Sequence, residues 1–356
     1  MQPRDEMGEL AERLSRVLPA TRLRGRPDAA LLEAADGWAD AVWRAAMEAG
    51  AVVPDRVEEA GDFAHRAVFI CGVHRSGTTL MRDLLDGHPE MCVLPSEGGY
   101  FTGLRARIRH LPEAVRAETL GKEWLRRLAN PTNQPPYWLL GPSGGENDPY
   151  VRFARSLLGW WPVLDQIFGS PSSLRPHLAI VLAYASVTGR ALWWIDKTPT
   201  NEFHVRRLRK ELPSTRVIHM VRDPLTVYAS RKRLEEQVFG SMQSPRRVLA
   251  QIRRSLRIAC LSEGPGHLVI RFEDLIERPD EMMGRVAAFL DIEKHPSLLH
   301  PTVAGMPAFP NSAFEQGQLA GRIVVHHGER LEGLTRAEMR RIIARTRPFA
   351  ERLGYA

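Results

Sequence analysis

The stretch Gly72 to Thr79, GVHRSGTT, has residue types and spacing that could do chemistry. An apolar run, Ala67 to Val73, leads into it. A helical pattern follows, with Leu80, Leu84 and Leu85 on one face and a stop at Gly87 and Pro89. Strand, glycine loop and helix make a layout that cradles phosphate. Backbone amides and the positive helix end point at an anion, and the glycines let the chain approach it. The spacing of Gly72 and Gly77 matches the first half of an ATP-type loop, but Thr78 stands where that motif has lysine. The positive charge has moved into the loop, to Arg75. Arg75, Ser76, Gly77, Thr78 and Thr79 are therefore candidates to hold a phosphate-like group that no loop lysine reaches.

A second pair lies downstream in RVIHMVRDPLTVYAS. Arg222 stands at the end of a strand, and Pro224 suits the first turn of the next helix. Ser230 falls about two turns into that helix. A strand-end guanidinium and a helix hydroxyl can thus converge on one phosphate. A surface Arg–Asp pair beside an ordinary helical serine is the bland alternative.

These residues need elements to position them, and the chain supplies a regular alternation. Strands are expected at Ala67 to Val73, Cys92 to Leu94, Leu192 to Ile195, Arg216 to Val221 and His267 to Phe272. Helices are expected at Asn201 to Leu212, Leu225 to Glu236, Ser244 to Cys260 and Pro279 to Leu290. Such alternation implies an α/β, P-loop-like, three-layer fold with a central parallel sheet. Ligands of such sheets sit beyond the carboxyl ends of the strands, where the polar signals fall. Residues 8 to 50 read as helical, with a break at Arg24 to Pro27, and 51 to 66 as an acidic linker. Residues 102–190 read as a helical insert. Its helical patches at Glu113 to Leu128 and Val151 to Phe168 flank a turn-rich stretch, Asn130 to Pro149. Long irregular loops are often lids or binding loops. Trp124, Trp138, Trp160 and Trp161 lie in this insert, either as part of an acceptor or lid region or as packing between helices.

The loop and its helix, RSGTTLMRDLLDGHP followed by Glu97, resemble the 5′-phosphosulfate loop of sulfotransferases that use 3′-phosphoadenylyl sulfate (PAPS). The longer string is most similar to the tyrosylprotein sulfotransferase branch and its bacterial relatives. The resemblance covers about Ala67 to Phe101 and Leu192 to Tyr355. It implies that Arg75 and Ser76 to Thr79 hold the phosphosulfate and that Arg222 and Ser230 bind the 3′-phosphate. It also implies that Lys197, in WWIDKTPT, contacts the transferring sulfonate and that Glu97 is the general base. A late basic residue caps the nucleotide in many members, and Arg322 is the candidate here. The tyrosylprotein branch continues past its glutamate with a second acid and an arginine that grips acidic acceptors. Here Gly98, Gly99 and Tyr100 follow, which puts protein tyrosine in doubt as the acceptor. His74, inside the loop, is a rival base. Phosphates and burial would push the Glu97 pKa up, against Lys197 and Arg75. LVIRFEDL and the final LGY read as scaffold and packing.

Composition sets the outer bounds. The chain has 356 residues, 44% of them hydrophobic, and a net charge of +7, which suits an anionic partner. Only five of its 49 basic residues are lysines, so Lys197 is a marked choice of a compact ammonium. The three cysteines, Cys71, Cys92 and Cys260, show no disulfide or zinc spacing. Met1 to Arg26 lacks an apolar signal core, and no run is long enough to span a bilayer, so a cytoplasmic protein is expected. The expected layout is a helical extension, 1–62, and a sulfotransferase domain, 63–356. No metal and no nucleic acid are expected, and homodimerisation through the extension is open. Two other functions compete with this one. A P-loop kinase would need a loop lysine and a magnesium ligand, a role for which Asp196 or Asp223 would have to serve. A non-catalytic nucleotide-binding protein would keep Arg222 and Ser230 but lose Lys197 and the base.

Overall fold

A computed structural model describes residues 8–12, 14, 29–131, 136–168, 173–189, 191–309, 320–324 and 331–355. Five strands, β1 (Ala67–Cys71), β2 (Met91–Val93), β3 (Trp193–Lys197), β4 (Arg216–Val221) and β5 (His267–Arg271), form one sheet. Its order is β2-β3-β1-β4-β5 and every pairing is parallel. The central strands β1 and β3 are buried along their whole length, because helices cover both faces.

The helices are α1 (Ala29–Ala49), α2 (Val57–His65), α3 (Thr78–Asp86), α4 (Glu113–Ala129), α5 (Pro149–Phe168), α6 (Arg175–Thr188), α7 (Val205–Glu211), α8 (Pro224–Phe239), α9 (Pro245–Ser262), α10 (Phe272–Glu277), α11 (Pro279–Leu290) and α12 (Arg336–Ala350). The two-residue period of the strands splits their side chains between layers. Phe69 and Trp194 join one apolar cluster with α1, α4, α5 and α6, around Trp38, Trp124 and Phe153. Val68, Ile70, Ile195 and Ile218 join another with Met81 and Leu84 of α3 and Met283 and Val286 of α11. A smaller cluster unites Val227, Ile252, Ile342 and Tyr355.

The N-terminal helix and the insert share one core. Trp38 meets the rings of Trp138 and Tyr150 edge-on, each at 5.0 Å. Trp43 lies so close to Gly121 that a Cβ there would sit 2.1 Å from its ring. Trp124, Trp160 and Trp161 are buried in the same cluster. The insert tryptophans are therefore packing groups.

Two local expectations are corrected. Residues 51 to 66 are no plain linker: α2 forms there, burying Ala60, Phe63 and Ala64, and Glu58 and Glu59 suit its positive end. The Asn201 to Leu212 segment opens as a 3₁₀ turn, Asn201–His204, before α7. The Arg24 to Pro27 break lies outside the described residues. No helix among the described residues is long and apolar enough to cross a membrane.

Candidate active site

From β1 the chain turns to β2 and β3 on one side, then crosses to β4 on the other. The carboxyl end of β1 is thus the switch point where such sheets bind ligands. The loop beyond it has positive φ at Gly72 (133°), Arg75 (77°) and Gly77 (89°). Side chains are excluded at both glycines. A Cβ on Gly72 would lie 2.3 Å from Met220 O, and one on Gly77 2.2 Å from the Phe272 ring. The Gly72 N–H donates to buried Glu202 Oε2 at 3.1 Å, and Thr200 N donates to Gly72 O at 3.0 Å. Glu202 lies beside Cys71 and His219 beneath the loop, where His219 bonds Ser255 (2.9 Å) and His267 (3.2 Å). The first amides of α3 point out of the loop with no acceptor in their own helix. The buried Ser76 hydroxyl has no partner among the described residues.

Arg75 and Ser230 meet: Arg75 Nε donates to Ser230 Oγ at 2.9 Å. Arg222 Nη1 donates to Arg75 O at 3.2 Å, and its guanidinium lies 4.3 Å from the Phe272 ring centre. Asp223 caps α8 by accepting from Thr226 N at 2.7 Å. The Asp223 N–H donates to Glu273 Oε1 at 3.0 Å, and Glu273 Oε2 accepts from Tyr355 Oη at 2.9 Å. Glu273 of FEDL and Tyr355 of LGY thus brace the turn that carries Arg222. Burial, with Arg222, Arg231 and Arg233 nearby, pulls the Arg75 pKa down to about 10. Positive charge is concentrated here, as an anion site requires. Arg322 is exposed, and no contact among the described residues joins it to this group. Residues 310–314 of MPAFPNSAF and 328–330 of GERLEGL lie outside the described residues.

Lys197 ends β3, beside β1, and is 3% exposed; its Nζ donates to Glu97 Oε1 at 2.7 Å. Glu97 itself is 45% exposed, so its carboxylate reaches open space. The turn after it is fixed by Asp196. Asp196 Oδ1 accepts from Gly98 N at 3.0 Å and Thr198 Oγ1 at 2.9 Å, while Oδ2 lies 3.3 Å from His177 Nε2. A Cβ on Gly98 would fall 2.5 Å from Asp196 Oδ2, so only glycine fits there. Arg127 of α4 donates to the carbonyls of Glu97 and Gly98 from the other side.

Burial pushes the Glu97 carboxyl up, but Lys197, aided by His74 and Arg82, outweighs it and the net direction is down. The upward direction expected from burial therefore does not prevail, because the contact with Lys197 is direct. Burial lowers the Lys197 pKa against the pull of Glu97. His74 is exposed at the surface, and desolvation by its neighbours, with Arg231, Lys197 and Arg75, lowers its pKa, with Glu97 opposing.

Several residues here went unread in the sequence. Arg82 of α3 pairs with Asp83 and donates to Pro95 O at 2.7 Å. Burial, partly offset by Arg82, raises the Asp83 pKa to about 6. Arg127 pairs with Glu123 at 2.8 Å. The signal in the sequence was the charged pair in RDLL, which falls among the apolar residues on the buried side of α3. Glu97, Lys197, Arg82, Glu123 and Arg127 line a cleft of about 580 Å³, which His74 does not line.

The family model described as "Sulfotransferase family" matches residues 67–296. A curated protein of Caenorhabditis briggsae, "Putative protein-tyrosine sulfotransferase", is 26% identical over 245 residues, covering 65% of this chain and 68% of that protein. Among solved structures, the sulfotransferase domain of the Synechococcus PCC 7002 olefin synthase superposes with a TM-score of 0.53 at 20% identity, over 82% of this chain and 94% of that domain. STF9 from Mycobacterium avium is 17% identical, with a TM-score of 0.44, over 98% of this chain and 96% of that one.

Proposed function

This chain belongs to the sulfotransferase family, and from that membership we propose that it moves a sulfonate from PAPS to a hydroxyl or amine acceptor. The observation that carries the choice of donor is the junction at Arg75. Its side chain bonds Ser230 and its carbonyl accepts from Arg222, so the loop and the strand-end pair form one anion-binding surface. A donor phosphorylated at both the 5′ and 3′ positions needs both halves. ATP, which has no 3′-phosphate, needs only the loop. The buried Ser76 hydroxyl and the glycine cradle fit such a ligand.

The donor supplies an activated sulfonate on a bisphosphate leaving group. Arg75 and the amides of Ser76 to Thr79 hold its 5′ end, and Arg222 and Ser230 its 3′-phosphate. Lys197 places a compact positive charge where charge develops on the sulfonate. Glu97, ionised at neutral pH and open to the cleft, takes the acceptor proton. A kinase reading would require Asp196 or Asp223 as a magnesium ligand. Asp196 is spent on Gly98, Thr198 and His177, and Asp223 on the cap of α8. A non-catalytic nucleotide binder has no need of the Lys197–Glu97 pair.

Calorimetric titration tests the donor assignment. Adenosine 3′,5′-bisphosphate should bind tightly and ATP–Mg weakly. Equal binding of the two would replace this reading with a phosphotransferase.

A further inference from the structure

The two sides of the catalytic pair differ in how their charge is compensated. On the loop side Arg75 has a neutral side-chain partner, Ser230, and Arg222 stands close by. In the cleft beyond Glu97 each cation of the wall is held by an acid. Lys197 pairs with Glu97 at 2.7 Å, Arg82 with Asp83 at 2.5 Å and Arg127 with Glu123 at 2.8 Å. Arg126 pairs with Asp36 at 2.7 Å and Glu123 at 3.1 Å. Among the described residues four cations thus face four acids. Part of the lining of the same cleft is apolar. Leu32, 39% exposed, and Phe309, 42% exposed, are among the few large apolar side chains left open to solvent, and both line it.

We propose that the acceptor is an uncharged amphiphile, with a hydroxyl presented to Glu97 and an apolar segment lying against Leu32 and Phe309, and not an acidic peptide. The inference rests on the sulfonate-transfer reading and narrows its acceptor. A carboxylate entering this cleft would shed water and find each wall cation already paired, an uncompensated cost. Diverting Arg127 to grip it would sacrifice more than the Glu123 pair. Arg127 donates to the carbonyls of Glu97 and Gly98, so the base would lose its support. A neutral hydroxyl compound disturbs none of these pairs, and its apolar part removes Leu32 and Phe309 from water. The volume, about 580 Å³, falls in the range of small-molecule sites.

The test uses the whole protein loaded with adenosine 3′,5′-bisphosphate. It is titrated calorimetrically with octyl glucoside and with octyl glucuronide, which differ by one carboxylate, and with an aspartate-rich tyrosine peptide, all below any micelle concentration. Octyl glucoside should bind at least about tenfold more tightly than either acidic probe. Leu32→Asp and Phe309→Asp should each weaken octyl glucoside binding by about tenfold, with bisphosphate affinity unchanged as the check on folding. Three results would overturn the inference: an acidic probe binding as tightly as the glucoside, no binding of the glucoside, or indifference to both substitutions. Failure to bind the bisphosphate at the first step is a different result. It rejects the donor assignment, and this inference falls with it.

Discussion

At the scale of single residues, the proposed chemistry turns on the Lys197–Glu97 pair. Glu97→Gln keeps shape and removes basicity, so bisphosphate binding should survive while transfer falls ~10²-fold or more. His74→Gln should keep most activity, and single-turnover assays of the two variants separate the rival bases. If His74→Gln is the dead variant, the loop histidine takes the proton. Lys197→Ala should lower turnover far more than affinity for the bisphosphate product, which lacks the sulfonate. Lys197→Arg should rescue poorly, since a planar fork does not replace a point charge. Equal losses would reduce Lys197 to a nucleotide clamp. The sequence named both partners through a family likeness. It could not name Arg127 or reveal the service of Asp196, because hydrogen bonds to the Glu97 and Gly98 backbone arise only when α4 and β3 pack on that turn.

At the scale of elements, the loop and the β4 turn act together. Removing the Arg222 guanidinium should weaken bisphosphate binding by about 1.5–3 kcal/mol, the range for hydrogen bonds to charged groups. An unchanged Kd would detach Arg222 from the ligand. The sheet beneath carries a pH dependence. Burial pushes the His267 pKa down to about 4 and drives that of His219, which touches it, well below its ordinary value. At these two histidines the unfolded chain binds more protons than the folded one below pH 6.5, so their contribution to stability rises with pH there, while Asp83, raised to about 6, acts in the opposite sense. At about 1.4 kcal/mol per pKa unit, charging His267 makes acidification from pH 6.5 to 4 cost roughly 3 kcal/mol. On going from pH 7.5 to pH 5, the denaturant midpoint of His267→Gln should fall less, or rise more, than that of the wild type; an identical change in the two would remove His267 from the pH dependence. The strands were legible because buried parallel strands are continuous apolar runs. Helix α2 was missed because acidic residues, which stabilise its first turn, also make a segment read as linker.

At the scale of the whole molecule, the cleft proposed for the acceptor forms where a helix from early in the chain meets the insert over the sheet. Trp38, fully buried, is the keystone of that meeting. Trp38→Ala should cost about 3–5 kcal/mol, as for large aromatic truncations in a core. Below its melting temperature this variant should bind the bisphosphate nearly as wild type does, since Arg75, Ser230 and Arg222 lie elsewhere. It should hold an acceptor poorly, because α1 bears Leu32 and Asp36. Parallel loss of both affinities would mean that the helical layer also sets the phosphate loop.

By itself the sequence determined the sheet and the loop, and it named the residues proposed here to bind an anion. These follow from local patterns: apolar runs, glycines where no Cβ fits, and an arginine and a serine at a spacing set by one strand and one helix. The tertiary structure alone decided that Asp196 and Asp223 are structural and that the insert tryptophans are packing. It alone decided that the charges of the cleft cancel and that Glu97 is held low by Lys197. Each of these depends on contacts between segments far apart in the chain, because pairing, packing and desolvation all weaken with distance.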